Sequence, residues 1–178
     1  REIVREAVFL FQVSRPEISF ELDLPDKPAI MLSDRRLLTQ AVTNLVKNAS
    51  EAIDTAMEAE PDRADKGHVI AKVRSKGDRL QITVIDNGCG MDADTKRRVF
   101  EPFFTTKNTG RGLGLAAVLG VVRSHNGAIE VNSKLRHGTS FRIFLPLISK
   151  AQTVNSSVLS MPFDHSAATI LVVDDEMS

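Results

Sequence analysis

The stretch TNLVKNASEAI at residues 43–53 decides the fold, because its apolar side chains recur at helical spacing while polar ones gather on one adjoining face. The same apolar spacing begins upstream, so a long amphipathic helix with one buried face is predicted. Ser33 or Asp34 can cap its start. The apolar positions are Leu38, Ala41, Val42, Leu45, Ala49, Ala52 and Ile53. The adjoining polar face carries Gln40, Asn44, Asn48 and Glu51.

Two amides on this polar face are candidate ligand residues. Asn44 and Asn48 are four residues apart, so their side chains stack on one face of the helix and can reach one ligand. Mg²⁺ accepts hard oxygen ligands and takes the remainder from phosphates and water. A plain solvated face is the alternative interpretation, and three further segments favour the ligand site over it.

The segment DNGCGM at residues 86–91 follows an apolar strand that ends at Asp86. Gly88 and Gly90 permit a tight turn and the close approach of a flat ligand to the backbone. A carboxylate in that position can accept a hydrogen bond from an exocyclic amine. Taken alone, the segment is also compatible with an ordinary Asx turn at the end of a strand.

The segments FEPFFTTK at 100–107 and GRGLGL at 110–115 add groups suited to phosphate. Core packing explains the phenylalanines but not the polar run Thr105, Thr106 and Lys107. The glycines at 110, 112 and 114 lead into an apolar helix, whose first N–H groups and positive end would face an anion, with Arg111 adding charge. No strand directly precedes this glycine run, which argues against a dinucleotide-binding fold.

The remaining pattern predicts an α/β fold of the two-layer α+β kind, in which helices cover one face of a mixed, mostly antiparallel sheet. A helix is predicted over residues 1–14, ended by Pro16, and another from Leu113 to Asn126, ended by Gly127. Residues 18–24 and 29–32 are predicted to pair as a hairpin. Further strands are predicted at 68–75, 80–86, 128–133 and 139–147.

In their order and wording, the four segments resemble the catalytic ATP-binding domain of bacterial sensor histidine kinases. This domain belongs to the wider Bergerat-fold group that includes heat-shock protein 90, DNA gyrase B and MutL. The resemblance covers about residues 17–147. The segments correspond to the N, G1, F and G2 boxes, and HGTSFRIFLP at 137–146 corresponds to the closing strand.

The resemblance implies roles for individual residues, with ATP and Mg²⁺ as the bound groups. Asn48 would coordinate Mg²⁺ with Asn44 close by, Asp86 would bind the adenine amino group, and Thr139 would support the adenine through its hydroxyl. Residues 105–112 would form a lid over the phosphates. The nucleotide-binding residues implied are Asn44, Asn48, Asp86, Gly88, Gly90, Met91, Thr105, Thr106, Lys107, Gly110, Arg111, Gly112, Leu113, Gly114, Leu115 and Thr139.

One position departs from the more common family pattern. Many members carry a basic residue at the position of Glu51, facing the phosphates. Lys47 is nearby in sequence but projects away from Asn48 by helical geometry. The side chain that supplies the missing charge is therefore left open.

The residue at position 44 bears on the reaction. Relatives that hydrolyse ATP in this fold use a glutamate there as general base, and the Asn44 amide cannot take a proton. Transfer of the γ-phosphate to an imported nucleophile is therefore expected, namely to a histidine on a dimerisation domain outside this chain. His68 and His125 are interpreted as surface residues, and this chain alone is expected to bind ATP without autophosphorylating. A gyrase- or MutL-like ATPase, an anti-sigma-factor-like serine kinase and a nucleotide-free scaffold are the alternatives.

The chain is interpreted as part of a longer protein. Residues 1–16 would lead in from the dimerisation domain, 17–148 would form the catalytic domain and 149–168 a linker. The run ILVVDDE, with Asp174 and Asp175, resembles the first strand of a response-regulator receiver domain, so 169–178 would begin one and the parent would be a hybrid kinase. The expected partners are ATP, the dimerisation domain, and a receiver domain or response regulator, in a homodimeric parent.

Charge and cysteine content restrict partners and compartment. Lys and Arg together number 23, as do Asp and Glu, so no net field favours nucleic acid. Cys89 is the single cysteine and cannot form an internal disulfide, and no apolar run approaches a membrane span. A cytoplasmic location is expected, with a parent protein that is compatible with membrane anchoring.

Overall fold

The structure is a computed structural model. It describes residues 1–26, 31, 33–107 and 110–147, and the backbone of 171–172. Four helices and six strands lie in these residues: α1 (Glu2–Ser14), β1 (Ile18–Asp23), α2 (Arg35–Ala59), β2 (Gly67–Lys76), β3 (Arg79–Asp86), α3 (Ala93–Arg98), α4 (Gly114–Ser124), β4 (Ala128–Ser133), β5 (Thr139–Pro146) and β6 (Leu171–Val172).

The strands form one mixed sheet in the order β1-β2-β3-β5-β4-β6. The pairings β2-β3, β3-β5 and β4-β5 are antiparallel, whereas β1-β2 and β4-β6 are parallel. The predicted fold class is confirmed. Strand β1 pairs with β2, and of its predicted hairpin partner at 29–32 only Met31 is described, so that prediction lies outside the described residues.

Helix α2 is the long helix that the opening stretch predicts. Asp34 caps it, because its carboxylate accepts hydrogen bonds from the backbone N–H groups of Arg36 and Leu37 at 2.9 and 3.2 Å. Pro61 follows its C-terminus and disfavours helical backbone at Glu60. Its buried face packs against α1, α4, β2 and β3, so α2 is the central helix of the layer.

The core lies between the helices and one face of the sheet. Alternate strand residues are buried there, as the period of two in a strand requires. They are Val69, Ala71, Val73, Ile82, Val84, Ile129, Val131, Phe141, Ile143 and Leu145. Helix α1 contributes Val4, Ala7 and Val8 to the same core. Each fully buried Leu or Ile contributes about 1.5–3 kcal/mol, so this layer fixes where α2 lies over the sheet.

Two helices differ from the prediction: α3 was not predicted, and α4 is shorter than predicted. The short helix α3 is capped by Asp92, whose carboxylate accepts a hydrogen bond from the Thr95 N–H at 2.7 Å. Helix α4 begins at Gly114 and ends at Ser124, inside the predicted limits of 113 and 126.

Within the described residues, no helix is both long and apolar enough to cross a bilayer.

Two domain-boundary predictions concern the C-terminal end. The predicted linker at 149–168 lies outside the described residues. Leu171 pairs with Glu130 and Val172 with Val131, so these two residues extend the sheet beside β4. The division into 1–16, 17–148, 149–168 and 169–178 stays a prediction.

Candidate functional site

The carboxylate of Asp86 lies at the end of β3, beneath the turn that follows it. Its Oδ1 accepts hydrogen bonds from the backbone N–H groups of Gly88 at 2.9 Å and Thr139 at 3.2 Å. No described residue hydrogen-bonds Oδ2. Since no buried side-chain polar atom of the described residues lacks a partner, Oδ2 is open to solvent or to a ligand.

The protonation of Asp86 is unusual. Burial raises the pKa of Asp86 from 3.8 to about 6, against the opposing effects of the two backbone hydrogen bonds and of the Lys107 ammonium. The residue is only 6% exposed. A buried carboxylate with one free oxygen favours a ligand that donates a hydrogen bond and so replaces the lost solvation.

The turn after Asp86 rests directly on the backbone of α2. The Cys89 N–H donates a hydrogen bond to the Ala52 carbonyl at 3.0 Å. A Cβ at Gly88 would lie 2.6 Å from the Ala52 carbonyl carbon, so only glycine permits this approach. The contact fixes the distance between the turn and the polar face of α2.

A chain of hydroxyl groups joins this turn to the closing strands. The Ser133 hydroxyl accepts a hydrogen bond from the Met91 N–H at 2.9 Å and donates one to the Gly138 carbonyl at 3.1 Å. Its oxygen is also 2.9 Å from that of Thr139. Because Ser133 has one proton and uses it on Gly138, Thr139 must donate to Ser133. The lone pairs of the Thr139 hydroxyl are then available as acceptors.

Ser133 is not among the site residues that the sequence predicts. Its role depends on the register Ser133↔Thr139 in the β4-β5 ladder, which places the two hydroxyls on the buried face of adjacent strands. A serine at the end of a polar-flanked strand carries no local signal of such a role. The alternation of buried residues in AIEVNS, read together with TSFRIF, is the one signal that could have suggested it.

The two predicted amides of α2 lie against the start of α4. The Asn44 amide donates a hydrogen bond to the Gly114 carbonyl at 3.4 Å. A Cβ at Gly114 would lie 3.9 Å from Nδ2 of Asn48, and no described residue hydrogen-bonds the Asn48 side chain. The Asn48 amide is therefore half-buried, close to the first turn of α4 and free to bind an ion or a ligand.

The first turn of α4 has no side-chain cap. Leu113 is the N-cap residue and makes no capping hydrogen bond. The first N–H groups of a helix have no partner within the helix, so an anion is stabilised there. Gly112, with φ of +66°, accepts a hydrogen bond from the Phe103 N–H at 2.9 Å, which joins the F and G2 segments.

The F segment is only partly a hydrophobic anchor. Phe100 is buried and packs edge-on against Phe141, with ring centroids 6.3 Å apart. Phe103 is instead 75% exposed, at φ of +67°. The Arg98 guanidinium lies 4.3 Å from the centroid of the Phe104 ring. Of the three phenylalanines, therefore, only Phe100 is fully explained by core packing.

The polar residues after the phenylalanines turn back toward α2. The Thr105 hydroxyl accepts a hydrogen bond from the Lys107 N–H at 3.1 Å, and the Lys107 ammonium pairs with the Glu51 carboxylate. Thr106 and Arg111 are exposed, and neither side chain makes a hydrogen bond or ion pair with another described residue. Lys107 and Glu51 thus meet beside Asn48, an arrangement that sequence spacing did not indicate.

The contacts above join the predicted residues in two groups, which we call the two ends of a candidate cleft; the approach of Gly88 to Ala52 and the effect of the Lys107 charge on the pKa of Asp86 relate one end to the other. Asp86, Gly88, Gly90 and Thr139 form one end, and Asn44, Asn48, Gly114 and Lys107 form the other. No group of three or more histidine, cysteine or acidic side chains able to hold a metal occurs among the described residues. A cation at the Asn48 amide would need further oxygen ligands from a bound anion.

Comparison with known proteins gives concordant matches. Residues 33–149 match the family described as "Histidine kinase-, DNA gyrase B-, and HSP90-like ATPase". The chain is 42% identical over 132 residues to nitrogen regulation protein NtrY of Azorhizobium caulinodans, covering 74% of this chain and 16% of the relative. It is 39% identical over 121 residues to sensor histidine kinase ZraS of Salmonella typhi, covering 67% and 24%.

Solved structures agree with these relatives. The mycobacterial sensor histidine kinase MprB is 27% identical with a TM-score of 0.68, over 82% of this chain and 93% of that one. Full-length ShkA in complex with AMPPNP is 26% identical with a TM-score of 0.68, over 82% of this chain and 29% of that one. The chain thus spans between a sixth and a quarter of the two curated relatives, and nearly all of the MprB structure.

Proposed function

Because the chain belongs to the family of histidine kinase-, DNA gyrase B- and HSP90-like ATPases, we propose that its cleft binds ATP with Mg²⁺ and presents the γ-phosphate to a histidine on another domain. Relatives such as ZraS are sensor histidine kinases, and the region that matches the family corresponds to their ATP-binding catalytic domain. The observation that carries the proposal is the free Oδ2 of buried Asp86 at one end of the cleft and the uncapped start of α4 at the other.

The adenine end follows from the hydrogen-bonding inventory. An adenine amino group donates two hydrogen bonds, and the Oδ2 atom of Asp86 needs a donor. The Thr139 hydroxyl, with its proton committed to Ser133, adds an acceptor beside it. Gly88, Gly90 and Met91 would line this end through the turn backbone.

The phosphate end follows from charge. The uncapped N–H groups of α4, at Leu113, Gly114 and Leu115, would contact phosphate oxygens, with Gly110 and Gly112 allowing close approach. Thr105, Thr106, Lys107 and Arg111 supply further donors in the segment before α4. The Asn48 amide would bind Mg²⁺ through its oxygen, with phosphates and water completing the shell and Asn44 holding the adjoining backbone of α4.

Phosphotransfer, rather than hydrolysis, is the reaction proposed for this site. Position 44 carries an amide, which cannot take a proton from water, so the general base that a hydrolase of this fold would use at this position is replaced. Of the chain's histidines, His125 donates through Nδ1 to the Val121 carbonyl and accepts at Nε2 from the Asp34 N–H. Such a ring is occupied in joining α4 to the start of α2, which argues against His125 as the acceptor, and the proposal places the acceptor histidine on a separate dimerisation domain.

The wider assembly is part of the same proposal. The parent protein would be a homodimer in which this domain serves a dimerisation domain, and a receiver domain or response regulator would take the phosphate onward. Asp174 and Asp175, after the apolar run at 170–173, support a receiver domain that begins at 169–178.

The proposal is tested by calorimetric titration of the chain with a non-hydrolysable ATP analogue, with and without Mg²⁺. We expect binding in the micromolar range that tightens when Mg²⁺ is present. Asn48→Ala should remove most of the Mg²⁺-dependent gain, about tenfold, because the amide oxygen is the one protein ligand proposed. Gln40→Ala, on the exposed part of the same helix, is the matched control. No binding by the unaltered chain would overturn the proposal.

Nucleotide affinity should also depend on pH through Asp86. Since burial raises its pKa to about 6, the carboxyl becomes protonated in the free protein as the pH falls below 6. A proton on Oδ2 would face the adenine amino group, so affinity should fall by up to about tenfold per pH unit below that value. Adenosine, which has no phosphate to titrate, is the ligand for this measurement. A flat profile between pH 5 and 8 would show that the ionised carboxylate is not the acceptor.

A further inference from the structure

Glu51 occupies an unusual position beside the cleft. It lies one helical turn after Asn48 on α2, and its carboxylate pairs with the ammonium of Lys107 from the segment before α4. The Lys47 ammonium is 3.7 Å from the other carboxylate oxygen, but that side chain is 61% exposed. Lys107 and Glu51 are 36% and 34% exposed, so their contact is the better shielded of the two.

The pair joins the two sides of the phosphate end. Residues 51 and 107 are 56 positions apart in sequence and belong to different segments of the site. The Thr105 hydroxyl accepts a hydrogen bond from the backbone N–H of Lys107, and this turn of the backbone directs the lysine side chain toward α2. The Lys107 ammonium also lowers the pKa of Asp86, so its charge is felt at the adenine end of the cleft. Lys107 is therefore a cation within the site whose charge Glu51 neutralises.

We propose that Glu51 is a specificity-determining residue, which sets how strongly the site prefers phosphorylated adenine nucleotides over adenosine by competing with phosphate for Lys107. The inference rests on the proposed ATP-binding function. One ammonium cannot pair fully with both anions, so phosphate binding must weaken the contact between Glu51 and Lys107. Adenosine leaves the contact intact. The carboxylate thus reduces affinity only for ligands that carry phosphate.

The test is a ladder of calorimetric titrations with adenosine, AMP, ADP and a non-hydrolysable ATP analogue. Four forms of the chain are compared: unaltered, Glu51→Gln, Lys107→Met and the double variant. In Glu51→Gln we expect affinity for ADP and the ATP analogue to rise roughly fivefold, with adenosine unchanged. In Lys107→Met we expect the same two affinities to fall roughly tenfold. The double variant should match Lys107→Met, because Glu51 acts only through the lysine.

Glu6→Gln is the matched control. Glu6 pairs with Arg35 at 3.0 Å on the exposed surface between α1 and α2, so this variant makes the same Glu-to-Gln change in an ion pair away from the cleft. This variant should leave the whole ladder unchanged.

Three results would overturn the inference. Equal changes for adenosine and ADP in Glu51→Gln would mean a general effect on the fold. A gain that persists in the Lys107→Met background would mean direct repulsion between Glu51 and phosphate. If neither Glu51→Gln nor Lys107→Met changed the affinity for ADP or the ATP analogue, Lys107 would not contact phosphate. Failure of the unaltered chain to bind any member of the ladder is a different result, which rejects the proposed function and with it this inference.

Discussion

An Asp86→Asn variant is expected to bind adenine nucleotides at least about a hundredfold more weakly than the unaltered chain, a loss of about 2.7 kcal/mol. The reason lies in the two backbone N–H groups, of Gly88 and Thr139, that both donate to Oδ1. An asparagine must turn its amide oxygen toward these two donors, because its NH₂ group would otherwise face both of them. The NH₂ group is then held toward the ligand, where an adenine amino group requires an acceptor.

The same substitution is expected to raise the free energy of unfolding at neutral pH. Burial lifts the folded-state pKa of Asp86 to about 6, from an ordinary value of 3.8. The folded state therefore holds a proton between about pH 4 and 6 that the unfolded state releases, and stability falls as the pH rises through that window. Above pH 6 the full cost is present, at most about 3 kcal/mol. Asparagine has no charge to bury, so the variant should be up to that much more stable at pH 8 and close to unaltered at pH 4.

Urea unfolding at pH 4, 6 and 8, together with nucleotide titration, measures both effects in one pair of proteins. Asp78→Asn, in the exposed turn between β2 and β3, removes a carboxylate of the same kind away from the site and should change neither quantity appreciably. A variant that still binds nucleotide, or one that is less stable at pH 8 than the unaltered chain, would contradict this account of Asp86.

A Gly90→Ala variant is expected to lose about 3 kcal/mol or more of folding stability, and with it nucleotide binding. Gly90 has φ of +64°, in the region that side chains disfavour. An added Cβ would lie 2.0 Å from the Lys134 carbonyl oxygen, which belongs to the turn between β4 and β5. Because the clash is with backbone rather than with a flexible side chain, either the G1 turn or the β4-β5 turn must move.

Gly120→Ala is the matched control for this prediction. Gly120 lies within α4, and a Cβ there would meet nothing within 4 Å. Alanine is the better helix former by about 1 kcal/mol, so this variant should be slightly stabilised. Thermal or urea unfolding of the two variants compares the same chemical change in opposite settings. Equal effects on stability would show that the backbone of the G1 turn is not constrained as described.

Much of the fold followed from local pattern. The apolar spacing of α2, the alternation in β2 to β5 and the capping signal at Ser33 or Asp34 are local, and each corresponds to a feature of the structure, in which Asp34 is the cap. The parallel pairing of β1 with β2 could not be read in this way, because α2 separates the two strands in sequence. The short helix α3 also escaped prediction, since six residues provide too little periodicity for a helical pattern.

For the candidate site too, local sequence signals and long-range contacts contributed different parts. The sequence by itself determined which residue types are present: the amides of Asn44 and Asn48, the carboxylate of Asp86 at a strand end, and the glycines that precede α4. These signals are local because helix and strand periods fix which side chains share a face. The roles of these residues in binding stay proposals, supported by the contacts of Asn44 with Gly114 and of Asp86 with Gly88 and Thr139.

Only the tertiary structure decided the contacts between distant segments. Ser133 hydrogen-bonds both Met91 and Thr139. The Cys89 N–H donates to the Ala52 carbonyl, and Lys107 forms an ion pair with Glu51. Each of these contacts joins groups that no sequence period relates, and each depends on how the helices lie over the sheet. The raised pKa of Asp86 has the same origin, because burial is a property of the packed core rather than of the residue.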